Sequence, residues 1–277
     1  MLCEKYLFED QEEILAVPPN NVALIINSHG SDIYGRILLP ALASESERAP
    51  VAVMLHGYPG LEQNMDVPPA LRRAGIATLY FSYRGVWGSH GDYCFSHLIE
   101  DVESVLAHLR ANAEKYRIDP ERIYLVGHSM GGFATLNSIA QGANVRGAVV
   151  MAPCDIGRRY LEDRERFDKM MFTQKYGYFN TPDEDYLPND VVEHAEQWRF
   201  VALAEKFPQN MPLHFIGGAE DTMTPPEVDI MPLYRLLEAR GMDISYTEIP
   251  AGHTFTAYRT RITRLIYRLI AEMESKA

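Results

Sequence analysis

Val126-Gly127-His128-Ser129-Met130-Gly131-Gly132 is the stretch on which the reading of this sequence turns. A short apolar run, Ile123-Tyr124-Leu125-Val126, leads into it, and a small-residue and apolar run, Phe133-Ala134-Thr135-Leu136-Asn137-Ser138-Ile139-Ala140, leads out. The pattern predicts a strand, a tight turn and a helix, with Ser129 at the apex. A serine hydroxyl is a poor nucleophile until a base takes its proton. A turn sharp enough to push that side chain out of a sheet needs small neighbours, which Gly127 and Gly131 supply, and Gly132 adds slack. The N-terminus of the following helix favours negative charge near Ser129. A plain glycine-rich turn would carry similar letters. The position between a buried strand and a helix sets this one apart.

Outward from the turn, apolar runs and amphipathic stretches alternate. Val51-Ala52-Val53-Met54-Leu55 is apolar throughout, as suits a strand buried on both faces of a parallel sheet. It ends in His56-Gly57-Tyr58-Pro59-Gly60, a glycine- and proline-rich turn. Residues 68–74 read as a helix stopped by Gly75, and residues 76–81 as the next strand. Apolar residues at 98, 99, 102, 105, 106 and 109 predict an amphipathic helix. Asp119-Pro120 is expected to break the chain before the Ile123 strand, and residues 145–151 form another strand. Near the N-terminus, residues 22–26 and 33–39 flank the turn-rich Asn27–Asp32 and predict an antiparallel hairpin. Strands also fall at 213–216 and 244–249, with helices at 231–240 and 255–273. The alternation implies an α/β chain with a mostly parallel, doubly wound sheet. Residues 155–207 break the rhythm, being rich in charge and aromatics without a clear buried strand, and read as an inserted helical cap. The expected organisation is therefore a core in two parts, 1–154 and 208–277, interrupted by a cap at 155–207.

Composition narrows the function. With 277 residues, 47% hydrophobic and 23% charged, the chain can bury a substantial core without disulfides. A net charge of −12 argues against nucleic acid or an anionic membrane surface as partner. Cys3, Cys94 and Cys154 are odd in number and widely spaced, which points to free thiols in a reducing compartment. The N-terminal segment lacks a basic start and a long apolar stretch, and no window approaches the roughly 20 apolar residues of a membrane span. A cytoplasmic protein without membrane insertion is expected. No phosphate-binding glycine pattern occurs, and no cofactor is expected. His90-x-Asp92-x-Cys94-x-x-His97 has metal-like spacing, but a helix starting within it would scatter those side chains, so no metal site is expected.

The turn at Ser129 and three further sites resemble the α/β-hydrolase family, over residues 22 to 273 and in that family's order of serine, acid and histidine. The resemblance implies Ser129 as nucleophile, Asp221 in Gly217-Gly218-Ala219-Glu220-Asp221 as acid, and His253 in Pro250-Ala251-Gly252-His253 as base. Glu220 is the rival acid. The resemblance further implies an oxyanion hole of two backbone N–H groups, those of Tyr58 and Met130. Arg84 is expected to hold its loop, and His56 and His128 to support theirs by hydrogen bonding. Tyr160, Phe167, Phe172, Tyr176, Tyr178, Phe179 and Trp198 are expected in the core of the cap.

The implied activity is hydrolysis of a small or medium carboxylic ester through an acyl-enzyme. A peptidase taking short peptides, or a thioesterase, fits the same residues; for a peptidase, Glu162, Asp163 or Glu165 could anchor a substrate amine, although such charges ordinarily form a solvated face. A binding protein without turnover usually lacks one of the three residues, and all three are here. Dehalogenases and epoxide hydrolases of this fold carry Asp where Ser129 stands.

Overall fold

All seven residues of Ala49–Leu55 are buried, because the strand they form runs inside a sheet covered on both faces. The computed structural model describes residues 2–13, 15–58, 64–172 and 179–276. Eight strands make up its sheet: β1 (Asn20–Ser28), β2 (Ser31–Leu39), β3 (Ala49–Leu55), β4 (Ala77–Phe81), β5 (Ile118–His128), β6 (Gly147–Met151), β7 (Leu213–Gly218) and β8 (Ile244–Ile249). Their order is β1-β2-β4-β3-β5-β6-β7-β8. The β1–β2 and β2–β4 pairs are antiparallel and the other five pairs are parallel. Helices α1 (Val67–Arg73), α2 (Phe95–Ala111), α3 (Ala113–Tyr116) and α4 (Met130–Ala140) fall between the strands up to β6. Between β6 and β7 come α5 (Ile156–Glu162), α6 (Arg164–Phe172), α7 (Tyr186–Trp198) and α8 (Phe200–Leu203). After β7 come α9 (Pro226–Asp229) and α10 (Met231–Ala239), and after β8 the C-terminal α11 (Arg259–Ser275).

The period-2 alternation of a strand divides the core. Val51, Val53 and Leu55 of β3 pack with Val102 and Leu106 of α2 and Phe133 and Leu136 of α4. Ala52 and Met54 point the other way, into a layer with Leu71 of α1 and Ile262, Ile266 and Ile270 of α11.

Of the boundaries that depart from the sequence expectation, two have a clear physical cause. The hairpin turn is only His29-Gly30, at φ of +48° and +85°, so Asn27, Ser28, Ser31 and Asp32 join the ladder. Strand β5 begins before Asp119-Pro120, not after it; a register shift against Ala49 and Val51 absorbs the proline, which cannot donate to a ladder.

In the segment between β6 and β7, close packing replaces sheet pairing. Gly157 of α5 lies so near α7 that an added methyl would strike Ala195 O and lie 2.7 Å from Arg199 N. Trp198 meets Phe133 at 5.2 Å and Phe95 at 6.4 Å, fastening α7 to α4 and α2. Trp198, Phe167 and Phe179 are buried and Tyr160 is half-buried. Tyr176, Tyr178 and the Phe172 side chain lie outside the described residues. Among the described residues, no helix is long and apolar enough to cross a membrane.

Candidate active site

Ser129 stands between β5 and α4 at φ +57°, ψ −116°, a conformation a non-glycine residue holds only where its surroundings impose it. Its N–H donates to Met151 O at 2.9 Å, and its carbonyl accepts from Gly132, Phe133 and Cys154 N–H. The neighbouring glycines are required by close approach. A methyl on Gly127 would collide with Gly131 O and the Thr135 hydroxyl, one on Gly131 with Leu55 O, and one on Gly132 with Pro153. The turn is wedged against the end of β3 on one side and the start of the segment after β6 on the other.

Strand ends bring the other groups to it. His253 follows β8, and its Nε2 lies 2.9 Å from Ser129 Oγ. Asp221 follows β7, and its Oδ2 lies 2.8 Å from His253 Nδ1. A carboxylate there holds the proton on Nδ1 and leaves the Nε2 lone pair facing the serine hydroxyl. Asp221 Oδ1 accepts from Met223 N–H at 2.8 Å and Thr224 N–H at 2.9 Å. The Thr224 hydroxyl is 2.8 Å from Oδ2 and 3.1 Å from both Ala152 O and His253 Nδ1. Burial works to raise the Asp221 carboxyl, but the hydrogen bond and charge of His253, with the Thr224 donors, outweigh it and hold it at about 2. Asp221 is therefore ionised at neutral pH. The rival, Glu220, is exposed.

Two further histidines brace the site as neutral rings. His128 Nε2 lies 2.9 Å from His253 O and its ring 5.0 Å from the His253 ring. Burial, mainly, and the nearness of His253 and Arg259 lower it to about 3, and a carbonyl can only accept, so the Nε2–H donates to it. His56 is lowered to about 4 by burial, and its Nδ1 lies 2.9 Å from Gly57 O. His128 thus ties the elbow to the histidine loop, a longer reach than support within its own loop. Arg84 holds its loop by an ion pair to buried Asp101 at 2.6 Å and a hydrogen bond to His97 O at 3.1 Å.

Gly57 faces Ser129: an added methyl would lie 3.2 Å from Ser129 Cβ and 3.7 Å from Oγ. The residue after each, Tyr58 and Met130, lines the same cavity. Met130 opens α4, and an N–H in a helix's first turn has no carbonyl of its own helix to meet. The Tyr58 hydroxyl donates to Met170 O at 3.3 Å and its ring stacks on Phe179 at 4.8 Å. The cavity holds about 560 Å³, and Phe95, Cys154, Ile156, Arg159, Met170 and Thr224 are among its walls. Burial pushes the Cys154 thiol up to about 12, so it is no thiolate rival to Ser129.

Other sequence candidates go elsewhere. α2 starts inside the His90–His97 stretch; His97 binds the Asp92 carbonyl while His90 meets Tyr34. Among the described residues, no three His, Cys, Asp or Glu side chains are grouped to hold a metal. Glu162 pairs with Arg199, Asp163 pairs with Arg166, and Glu165 is exposed, so none of these acids lines the cavity. Thr224 and Arg159 went unnoticed in the sequence. For Thr224 a signal existed, because Asp-x-x-Thr ahead of Pro225 is a turn in which the aspartate takes amides two and three residues on. For Arg159 there was none.

The Alpha/beta hydrolase family model matches residues 52–262. The acylamino-acid-releasing enzyme of Sus scrofa is 27% identical over 231 residues, which cover 78% of this chain and only 30% of that enzyme's length. The Pyrococcus furiosus esterase Pf2001 superposes with a TM-score of 0.66 at 17% identity, over 91% of this chain and 92% of that one. The Pyrococcus horikoshii acylaminoacyl peptidase superposes with a TM-score of 0.68 at 18% identity, over 92% of this chain and 42% of that one. With the family model covering well over half of its length, the chain belongs to the alpha/beta hydrolase family.

Proposed function

We propose that the protein is a serine hydrolase that cleaves a small or medium carboxylic ester through an acyl-enzyme. The observation that carries this reading is His253, in contact with Ser129 Oγ on one nitrogen and with ionised Asp221 on the other. In the first half-reaction Ser129 Oγ bonds to the carbonyl carbon while its proton passes to His253 Nε2. Charge collects on the carbonyl oxygen, and the N–H groups of Tyr58 and Met130 are assigned to hold it. Collapse breaks the bond to the alkoxy group, which leaves as alcohol with the proton from His253. A water then gives its proton to His253, attacks the acyl carbon and releases the acid, restoring Ser129. Asp221 stays ionised throughout, orienting the ring and stabilising its charged form. Residues 155–207 act as a cap that narrows access from above.

Peptide-bond cleavage is the second reading, suggested by the likeness to acylaminoacyl peptidases. A panel of acyl p-nitrophenyl esters against aminoacyl arylamides separates the two. Ser129→Ala is expected to remove turnover of p-nitrophenyl butyrate by roughly 10⁵-fold without unfolding the chain. Retained turnover would overturn the serine mechanism.

A further inference from the structure

The wall of the cavity has the opposite charge to the chain as a whole. The protein carries −12 overall, yet Arg159 of α5 and Arg166 and Lys169 of α6 all line the cavity that holds Ser129. Among the described residues that line it there is no Asp or Glu. Arg159 is buried, whereas Arg166, which also pairs with Asp163 at 3.4 Å, and Lys169 are exposed, so Arg159 is the one whose positive potential a low-dielectric wall focuses into the site.

Arg159 is the informative member of the three. It is only 6% exposed, although a guanidinium is always charged and offers five donors. One Nη donates to Met223 O at 2.7 Å, and among the described residues the other reaches only the Met170 sulfur at 3.8 Å. Its buried Nε has no acceptor among the described residues. Cys154 first, and then Asp229, Asp163 and Asp155, favour its charged form against burial, but no described carboxylate comes within 4.0 Å of it, whereas its neighbour Arg158 pairs with Asp229 at 3.5 Å. A buried cation short of acceptors is costly unless something else supplies them. The anchor also fixes where that partner would sit. Met223, whose carbonyl holds Arg159, donates its own N–H to Asp221, so the guanidinium is tied to the loop that orients His253.

We propose that the cavity binds molecules carrying a carboxylate, held by Arg159 with Arg166 and Lys169 nearer the mouth, so that the ester cleaved at Ser129 bears a free carboxylate, as in a half-ester of a dicarboxylic acid. The cleavage part rests on the serine-hydrolase reading; the anion site does not. Binding is therefore tested without turnover. In the Ser129→Ala protein, calorimetry compares monomethyl glutarate with its uncharged counterpart, dimethyl glutarate. The monoester binds about tenfold tighter, as expected for a charge-assisted guanidinium–carboxylate contact, and the preference shrinks as salt is raised. Adding Arg159→Met brings the ratio below about twofold. Equal binding of the two compounds, or a ratio that survives Arg159→Met in a folded protein, overturns the site. Should Arg159→Met not fold by circular dichroism, the exposed pair Arg166→Gln and Lys169→Gln decides: a fall in the ratio of about threefold supports the site, and no fall overturns it. On the wild type, kcat/KM for p-nitrophenyl hydrogen glutarate is expected about tenfold above that for p-nitrophenyl butyrate. If neither ester is cleaved while the binding preference stands, the serine-hydrolase reading fails and the anion site survives.

Discussion

The floor and the roof of the cavity are built on different terms. On the floor, every candidate group follows a strand, and the acid and the serine are held by several neighbours each: Asp221 takes two amides, a hydroxyl and a histidine, and Ser129 is pinned through its own backbone. On the roof, α5 and α6 present Arg159, with one good acceptor among the described residues, and at the exposed edge Lys169 and Arg166, the latter paired with Asp163. A parallel sheet ties the ends of neighbouring strands together through its ladder, whereas the short α5 is held by the Asp155 carboxylate at its start, which accepts from Arg158 and Phe200 N–H, and by side-chain packing. On the serine-hydrolase reading proposed above, the difference gives reaction geometry to the floor and choice of substrate to the roof.

The largest effect that could break this division is on the floor. Asp221→Asn is expected to lower kcat/KM by about 10⁴-fold on charged and neutral esters alike. A loss confined to carboxylate-bearing esters, seen in paired kinetic assays, would mean that the acid loop also selects substrate. Gly57→Ala comes next, since its methyl would lie 3.2 Å from Ser129 Cβ. A drop of about 10²-fold in kcat/KM with little change in melting temperature is expected; unaltered rates would show that the β3 loop can yield.

The pH dependence of stability sharpens the picture of the acid. The folded Asp221 carboxyl, at about 2, lies below its ordinary value of 3.8, so its stabilising contribution is complete above pH 3.8 and is lost as pH falls through 2. Denaturant melts should show the wild type losing about 2 kcal/mol relative to Asp221→Asn over that interval. A constant gap between the two proteins would contradict the charge-stabilised arrangement. Thr224→Val removes one hydroxyl from Asp221 and is expected to slow ester turnover by about tenfold, with a stability loss of about 1 kcal/mol. The smallest effect belongs to the roof: Lys169→Gln should move the melting temperature by no more than about 2 °C in a calorimetric scan.

What could be read from the sequence follows the same division. The elbow was legible because its glycines answer to backbone collisions, and only one residue type avoids them at Gly127, Gly131 and Gly132. Order along the chain then pointed to Asp221 and His253, and burial separates Asp221 from the exposed Glu220. Strand β5 passes through Asp119-Pro120 because a register shift can absorb a proline that the letters alone mark as a break. The charge of the cavity was not legible. Glu162, Asp163 and Glu165 read as a solvated face, and Glu162 and Asp163 do pair with arginines, but nothing in the sequence places Arg159 in the wall. Which way a short helix turns its charged face is set by contacts from elsewhere, such as Met223 O on Arg159 and Gly157 against α7.

By itself the sequence determined the strand–turn–helix at Ser129 and the alternation that makes a parallel sheet, because periodicity and glycine placement are local requirements; Asp221 and His253 were singled out by the family resemblance that those features carry. Tertiary structure alone decided that Asp221 is buried and ionised, that His128 braces His253, and that a chain of net charge −12 lines its cavity with three cations. Those are properties of groups brought together across as many as 125 positions of chain, and no run of neighbouring residues encodes them.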